Sequence, residues 1–251
     1  MSLFSVAGKV ALVTGGNGGL GFAMAMALRD AGARVAIAGR NTDKLARAKA
    51  GLGADTSIHP VDLAMDSALP TLISDVVSSH GGLDILVNNA GTSIRGAPQE
   101  LTRADYEFVQ SVNVTAALRL SQLAHPHLCD RGGGKIIQVG SMFSHLGSAF
   151  SLPYAVSKGA VVQLTRSLAV AWAQDNIQVN AILPGWFDTE LTQGTRAHVP
   201  GLEETICKRT PAGRWGQPDD LAGTVVFLAS SASDFITGVA LPVDGGFSIS
   251  M

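Results

Sequence analysis

Charge is scarce in this chain. Asp, Glu, Lys and Arg make up only 15% of its 251 residues, and the formal net charge is −2. No block of Lys or Arg stands along it, so a nucleic-acid backbone is not an expected partner. Cysteine is sparse too. Cys129 and Cys207 are too few for a disulfide framework and read as reduced thiols in a cytoplasmic protein. No apolar run approaches the roughly 20 residues that span a bilayer, so no membrane segment is expected. Residues 1–6 lack the charged and apolar regions of a secretory signal, and none is expected there. A composition break, an internal repeat and a low-complexity tract are also missing. With hydrophobic residues at 46%, these absences leave one compact domain over residues 1–251, able to bury a sizeable core. No metal site is expected.

What is present is an alternation of short apolar runs and helical patterns. Residues 9–14, 34–38, 58–63, 83–87, 135–139, 178–183 and 239–243 read as strands. Helical patterns separate them, among them 68–79, 103–128 and 153–174. Such alternation specifies an α/β fold of Rossmann type, a doubly wound, seven-stranded parallel sheet with helices on both faces.

The first strand runs into Thr14-Gly15-Gly16-Asn17-Gly18-Gly19-Leu20-Gly21, five glycines in eight residues. Strand, glycine turn and helix N-terminus make a place for a pyrophosphate, because no Cβ obstructs its approach. The second strand ends at Gly39-Arg40-Asn41. An acidic residue there would bind a ribose 2′-hydroxyl, but a guanidinium stands instead and suits a phosphate dianion. This favours NADP(H) and leaves NAD(H) possible; the alternative for Arg40 is a solvated turn residue. Asp62 lies at a strand's C-terminal end, the side on which such sheets bind ligands. Asn88-Asn89-Ala90-Gly91, at another strand end, could face a flat ring. Asn113 sits among apolar neighbours and on pattern alone is a core amide in need of partners. Residues 186–215 hold prolines and glycines and fit no single element. They read as a flap with short helical pieces over a substrate, or else as a packing excursion at a subunit contact.

The chemistry-bearing stretch is Tyr154-Ala155-Val156-Ser157-Lys158, with Ser141 just past the fifth strand. Residues four apart lie on one face of a helix, which puts a cation beside a phenol. A free phenol, with a pKa of about 10, is a poor acid or base at neutral pH, and a neighbouring ammonium lowers it toward the working range. A serine hydroxyl could hold a carbonyl or alcohol oxygen against that phenol.

In this order and spacing the residues resemble the short-chain dehydrogenase/reductase family, in its single-domain branch. The matches run from Val10 to Gly246 and comprise Thr14-Gly15-x3-Gly19-x-Gly21, Asp62, Asn88-Asn89-Ala90-Gly91, Asn113, Ser141, Tyr154-x3-Lys158, and Pro184-Gly185 with Thr189. The resemblance implies four catalytic residues. Tyr154 would be the general acid in reduction and the base in oxidation, and Lys158 would lower its pKa and bind the nicotinamide ribose. Ser141 would hold the substrate oxygen, and Asn113 would anchor a water between Lys158 and solvent. The implied cofactor path takes in Gly15, Asn17, Gly18, Gly19, Leu20 and Gly21, then Arg40, Asp62 and Leu63. It continues along Asn89, Ala90 and Gly91 to Pro184, Gly185, Phe187 and Thr189, the last meeting the carboxamide. One departure is Gly18, where many NADP(H)-using relatives carry a basic residue; Arg40 is left as the main charged partner of a 2′-phosphate. The resemblance also implies a homotetramer with contacts on the helices at 103–128 and 153–174.

Within the family, residues 209–216 and 218–223 are similar to sugar-acid dehydrogenases acting on gluconate and 2-deoxygluconate. Arg95 is then a carboxylate clamp or a surface Arg, and His145 a pocket residue or a plain loop histidine. The expected activity is NADP(H)-preferring, reversible hydride transfer between nicotinamide and a ketone or secondary alcohol. A sugar acid or small polyhydroxy ketone is the favoured substrate. The alternative is a hydrophobic or cyclic ketone, since Met142, Phe143, Leu146, Phe150, Trp186 and Phe187 could build an apolar pocket. A reading of another class, a non-catalytic dinucleotide-sensing regulator, is opposed by the intact Ser141, Tyr154 and Lys158. An epimerase or dehydratase would need a longer C-terminal substrate domain.

Overall fold

The computed structural model describes residues 3–198 and 201–250. The strands are Val10–Thr14 (β1), Arg34–Gly39 (β2), Ser57–Pro60 (β3), Ile85–Asn88 (β4), Gly134–Val139 (β5), Ile177–Pro184 (β6) and Ala240–Val243 (β7). They form one sheet in the order β3-β2-β1-β4-β5-β6-β7, with every neighbouring pair parallel. The α-helices are Gly19–Asp30 (α1), Thr42–Leu52 (α2), Leu69–His80 (α3), Arg103–Gln110 (α4), Ala116–Asp130 (α5), Leu152–Trp172 (α6), Glu190–His198 (α7), Leu202–Arg209 (α8) and Ala222–Ala229 (α9). Among the described residues no helix is long and apolar enough to cross a membrane.

The strands are continuously apolar because helices cover both sheet faces, and every residue of β1 and β6 is buried. Alternate strand residues serve opposite faces. Val13, Ile37, Val87 and Ile137 pack with Met24 and Leu28 of α1 and Val225 and Leu228 of α9. Leu12, Leu86, Ile136 and Val179 pack with Val76 of α3, Leu120 and Leu128 of α5 and Leu168 of α6. Strand order runs outward from β1 in one direction and from β4 in the other. That reversal opens a crevice above the C-terminal ends of β1 and β4, where ligands bind in sheets of this kind.

Three segments differ from the sequence expectation. Strand β3 stops at Pro60, so Asp62 lies beyond it in a turn. There Asp62 Oδ1 accepts from the Ala64 amide (3.0 Å) and its carbonyl from the Met65 amide (3.1 Å), local bonds that compete with a sheet ladder. The helix expected over 103–128 is interrupted by a π-helical turn, Ser111–Thr115, between α4 and α5. The expected flap at 186–215 contains α7 and α8; its Val199 and Pro200 lie outside the described residues.

At the base of the sheet Asp84, only 1% exposed, joins three elements. It accepts from the Val10 amide (2.9 Å), Arg131 Nε (3.1 Å) and Lys9 Nζ (3.2 Å). Burial pushes its carboxyl up, but the Val10 bond and the Arg131 and Lys9 cations together hold it below the ordinary carboxylate value. A depressed folded-state pKa stabilises the fold above the unfolded value of about 3.9 and stops doing so as pH falls through the folded one. Replacing Asp84 by Asn should cost about 2 kcal/mol in denaturant unfolding at neutral pH, since the two cations stay half-exposed. The deficit should shrink as the wild-type carboxyl protonates in acid; a deficit independent of pH would show that the charge is not what stabilises.

Candidate active site

The crevice is floored by the turn between β1 and α1. Gly15 adopts φ +65°, and a Cβ on Gly21 would stand 2.2 Å from the Gly15 carbonyl oxygen. Glycine alone therefore lets α1 begin this close to β1. The turn is stitched to the end of β4. Asn89 Nδ2 donates to the carbonyls of Thr14 (2.9 Å) and Gly15 (3.3 Å), and Thr14 Oγ1 accepts from the Asn89 and Ala90 amides (3.0 and 3.1 Å). No side chain caps α1, and Gly18 and Gly19 are exposed, so the first amides of that helix are available to an anion. Leu20 points the other way, against the core. Thr189 lies over the turn: a Cβ on Gly19 would be 3.6 Å from its side chain.

A groove of about 440 Å³ opens beside this turn, lined by Asn17, Gly18, Phe22, Lys44, Arg47, Ala48 and Glu190. Asn17 rests against Gly39 at the end of β2, where a Cβ would be 2.9 Å from its Nδ2. Arg40 follows, exposed, just before Asn41, whose Oδ1 caps α2 by accepting from the Lys44 amide (2.8 Å). Lys44 and Arg47 went unnoticed in the sequence. The signal was there, since Lys44 stands four residues after Arg40 at the opening of a helix. Lys44 Nζ is paired with Glu190 Oε2 at 2.6 Å, which ties α2 to the flap helix α7.

The Ser, Tyr and Lys candidates come from β5 and α6. Strand β5 delivers Ser141, and α6 carries Tyr154 and Lys158 one turn apart. Lys158 is 4% exposed, and its Nζ donates to the Val139 carbonyl (2.7 Å) and lies 5.5 Å from the Tyr154 ring centroid. Ser144 fastens the two elements together. Its Oγ donates to the Lys158 carbonyl (2.7 Å) and accepts from the Ser141 amide (3.2 Å). The π turn delivers Asn113, whose amide bonds both backbone groups of Thr92 and also Ser157 Oγ (2.9 Å). Both ends of the buried amide therefore have partners. A Cβ on Gly91 would be 3.4 Å from Asn113 Oδ1 and 3.5 Å from Lys158 Nζ, so both polar groups border that glycine. Ser144, Ser157 and Thr92 carried no sequence signal, because each acts through a main-chain contact set by the fold.

The electrostatics correct one expectation. Burial pushes the Tyr154 phenol above its ordinary value, and interaction with the Ser141 side chain pulls it only partly back. The lowering expected from Lys158 is not present: burial drops the amine itself to about 8, and its hydrogen bond goes to Val139.

The remaining candidates divide into three groups. Pro184 and Gly185 end β6, where a Cβ on Gly185 would collide with Asp244 at 2.6 Å. Leu63 and Phe187 are in the right loops, but their side chains are buried in the core, so only their main chain faces the crevice side. Arg95 and His145 are exposed on the rim. The loop holding Arg95 is tied across by the Gly96 amide to the Phe150 carbonyl (3.1 Å). Trp186 packs edge-on to Phe143 and Trp215, and Phe143 edge-on to Tyr154, which gives the pocket an aromatic wall.

A glycine turn at a switch point, with a Tyr, Lys and Ser group above it, defines a dinucleotide-binding oxidoreductase. Comparison with known proteins agrees. A family model described as Enoyl-(Acyl carrier protein) reductase matches residues 15–248. The chain is 39% identical over 252 residues to a gluconate 5-dehydrogenase of Gluconobacter oxydans (strain 621H), covering 99% of this chain and 98% of that enzyme. It is 42% identical over 252 residues to a 2-dehydro-3-deoxy-D-gluconate 5-dehydrogenase of Escherichia coli (strain K12), with 98% of each covered. The crystal structure of a gluconate 5-dehydrogenase from Burkholderia cenocepacia J2315 in complex with NADP and tartrate matches with TM-score 0.93 and 38% identity, over 99% of this chain and 98% of that one. The chain belongs to the short-chain dehydrogenase/reductase family and is an NAD(P)-dependent oxidoreductase.

Ser144 is a positioning residue by this geometry. Ser144→Ala should lower kcat by roughly 10–100-fold through a misplaced Ser141, while the cofactor dissociation constant holds steady. An unchanged kcat would show that Ser141 keeps its place without that tie.

Proposed function

We propose that this enzyme moves a hydride reversibly between NADP(H) and the carbinol or carbonyl carbon of a small sugar acid or polyhydroxy ketone. The reading is carried by the continuity of the site. Gly15 abuts Ala90, and Gly91 abuts Asn113 and Lys158, so the glycine turn and the buried amine are joined by one short loop. The similarity to gluconate and deoxygluconate dehydrogenases supports a sugar acid, and the NADP held by the Burkholderia enzyme supports NADP(H).

The chain fits a dinucleotide: Gly21 lets α1 start against the β1 turn, the turn is open at the exposed Gly18, and the uncapped α1 offers its amides to a diphosphate. When bound, the nicotinamide supplies or accepts the hydride. Tyr154 gives its proton to the substrate oxygen in reduction and takes one in oxidation. Its raised pKa keeps the phenol protonated at neutral pH, the form that reduction consumes. Ser141 holds the substrate oxygen, Lys158 and Asn113 hold the phenol side of the site in register, and Arg95 on the rim clamps a carboxylate. Arg40, Lys44 and Arg47 face the 2′-phosphate. The reading includes a flap over residues 186–215 and a cytoplasmic homotetramer. Helices α4 and α6 turn Tyr106, Phe108, Val156 and Val170 outward, an apolar surface that suits contact with a second copy. The aromatic wall of Phe143, Trp186 and Trp215 supports a second reading, a bulkier cyclic ketone.

A panel of keto sugar acids, the corresponding hydroxy acids and cyclic ketones, run in parallel with NADPH and NADH, separates these readings. Turnover confined to cyclic ketones would overturn the sugar-acid assignment. Tyr154→Phe should lower kcat by about 10²–10⁴-fold and leave NADPH binding intact. Arg40→Asp should weaken NADPH by roughly 10–100-fold and NADH far less; equal losses would remove Arg40 from phosphate recognition.

A further inference from the structure

At the end of the sheet opposite the crevice, where β5 and β6 begin, three side chains with metal-binding chemistry meet. His125 and Cys129 stand one turn apart on the same face of α5. Asp175 belongs to the turn between α6 and β6. His125 Nε2 is 2.9 Å from Asp175 Oδ2 and 3.7 Å from Cys129 Sγ, and one ligand atom from each residue lies within 4.8 Å of the others. Nitrogen, sulfur and oxygen ligands bonded tetrahedrally at zinc distances stand roughly 3.3–3.6 Å apart. The His–Cys edge is close to that spacing, and the His–Asp edge, now a hydrogen bond, needs to lengthen by about half an ångström for a metal to enter between them.

The two segments are held in place by bonds independent of the cluster. Asn176, at φ +57°, follows Asp175; its Nδ2 donates to the Gly132 carbonyl (2.9 Å) and its carbonyl accepts from the Gly134 amide (3.1 Å). A Cβ on Gly133 would be 2.4 Å from that carbonyl oxygen, so the end of α5 and the Asp175 turn interlock. Trp172 packs on the imidazole at 4.7 Å and fixes its plane. Desolvation by its neighbours and the negative charges of Asp175 and Asp130 push the exposed Cys129 thiol up, and the same charges favour a cation. None of these residues serves the proposed catalytic site.

We propose that His125, Cys129 and Asp175 form a binding site for a divalent cation of the zinc class, with water completing the coordination. A mixed nitrogen, sulfur and oxygen set suits zinc and cobalt and disfavours magnesium and calcium. Bound metal clasps α5 to the turn before β6 and stabilises the folded chain by mass action, away from the hydride chemistry.

The test titrates the chelator-stripped, full-length protein with Co²⁺ and then Zn²⁺. One Co²⁺ per chain is expected, with thiolate-to-cobalt charge-transfer absorption that Zn²⁺ abolishes. Cys129→Ser should remove the absorption, and Cys207→Ser should retain it. His125→Ala should weaken Zn²⁺ binding by at least the roughly 10–100-fold that even a supporting residue is worth. Zn²⁺ should raise the thermal midpoint of the wild type and not of Cys129→Ser, whose turnover stays at the wild-type rate. No charge-transfer band, a band that survives Cys129→Ser, or zinc affinity indifferent to His125→Ala would each overturn the site.

Discussion

A primary amine with almost no exposed surface sets the terms for the upper half of this molecule. Taking an ammonium out of water is costly, and burial drops Lys158 to about 8. The cost is bearable only where the donors of the amine meet oxygens or a π face. The Val139 carbonyl supplies one at the end of β5, the Tyr154 ring lies beneath, and Asn113 Oδ1 is close under Gly91. Two constraints follow. Strand β5 must end where its last carbonyls turn toward α6, and helix α6 must begin early enough to carry a tyrosine one turn before the lysine.

The irregularity between α4 and α5 belongs to the same arrangement. A π turn costs hydrogen-bond geometry and appears mostly where a side chain has to be re-aimed. Here it turns Asn113 inward, and the amide meets Thr92 on the β4 loop and Ser157 on α6. One residue thus links the loop that borders the glycine turn to the helix that bears the phenol. Ser157 Oγ donates a hydrogen bond to the Tyr154 carbonyl (2.7 Å), which extends the connection to the backbone at Tyr154.

The fold was largely legible because its signals are local and repeated. Each strand is an apolar run ended by a glycine or polar tip, and β1, β2, β4, β5, β6 and β7 begin or end within two residues of where periodicity puts them. Strand β3 was over-extended because Val61 and Leu63 look like strand residues, whereas the Asp62 turn is a side-chain-to-backbone effect invisible to periodicity. The π turn was illegible for a similar reason: Val109, Val112 and Val114 fit a continuous helix, and a one-residue register slip leaves no compositional trace. Tyr154, Lys158 and Ser141 could be found by residue type and spacing. Their supports, Ser144 and Ser157, could not, since a serine bonded to a main-chain carbonyl looks like any other. The sign of the Tyr154 shift was beyond the sequence too. Spacing shows that a cation is near, while only packing shows that burial raises the phenol and that the amine's bond goes to Val139 instead.

The flap illustrates how magnitudes decide what holds a segment. Its first helix, α7, is tied to α2 by Lys44 and Glu190, and Arg196 pairs with Asp188 while lying over the Trp215 ring. Glu190 is 79% exposed, and such a surface pair contributes about 0–1 kcal/mol. Its second helix, α8, buries Ile206 against Met142, Trp215 and Phe247. A single buried aliphatic side chain of this kind contributes about 1.5–3 kcal/mol. Apolar burial therefore anchors α8, whereas α7 depends on ion pairs and on the Arg196 guanidinium stacked over the Trp215 ring, which joins it to the aromatic wall.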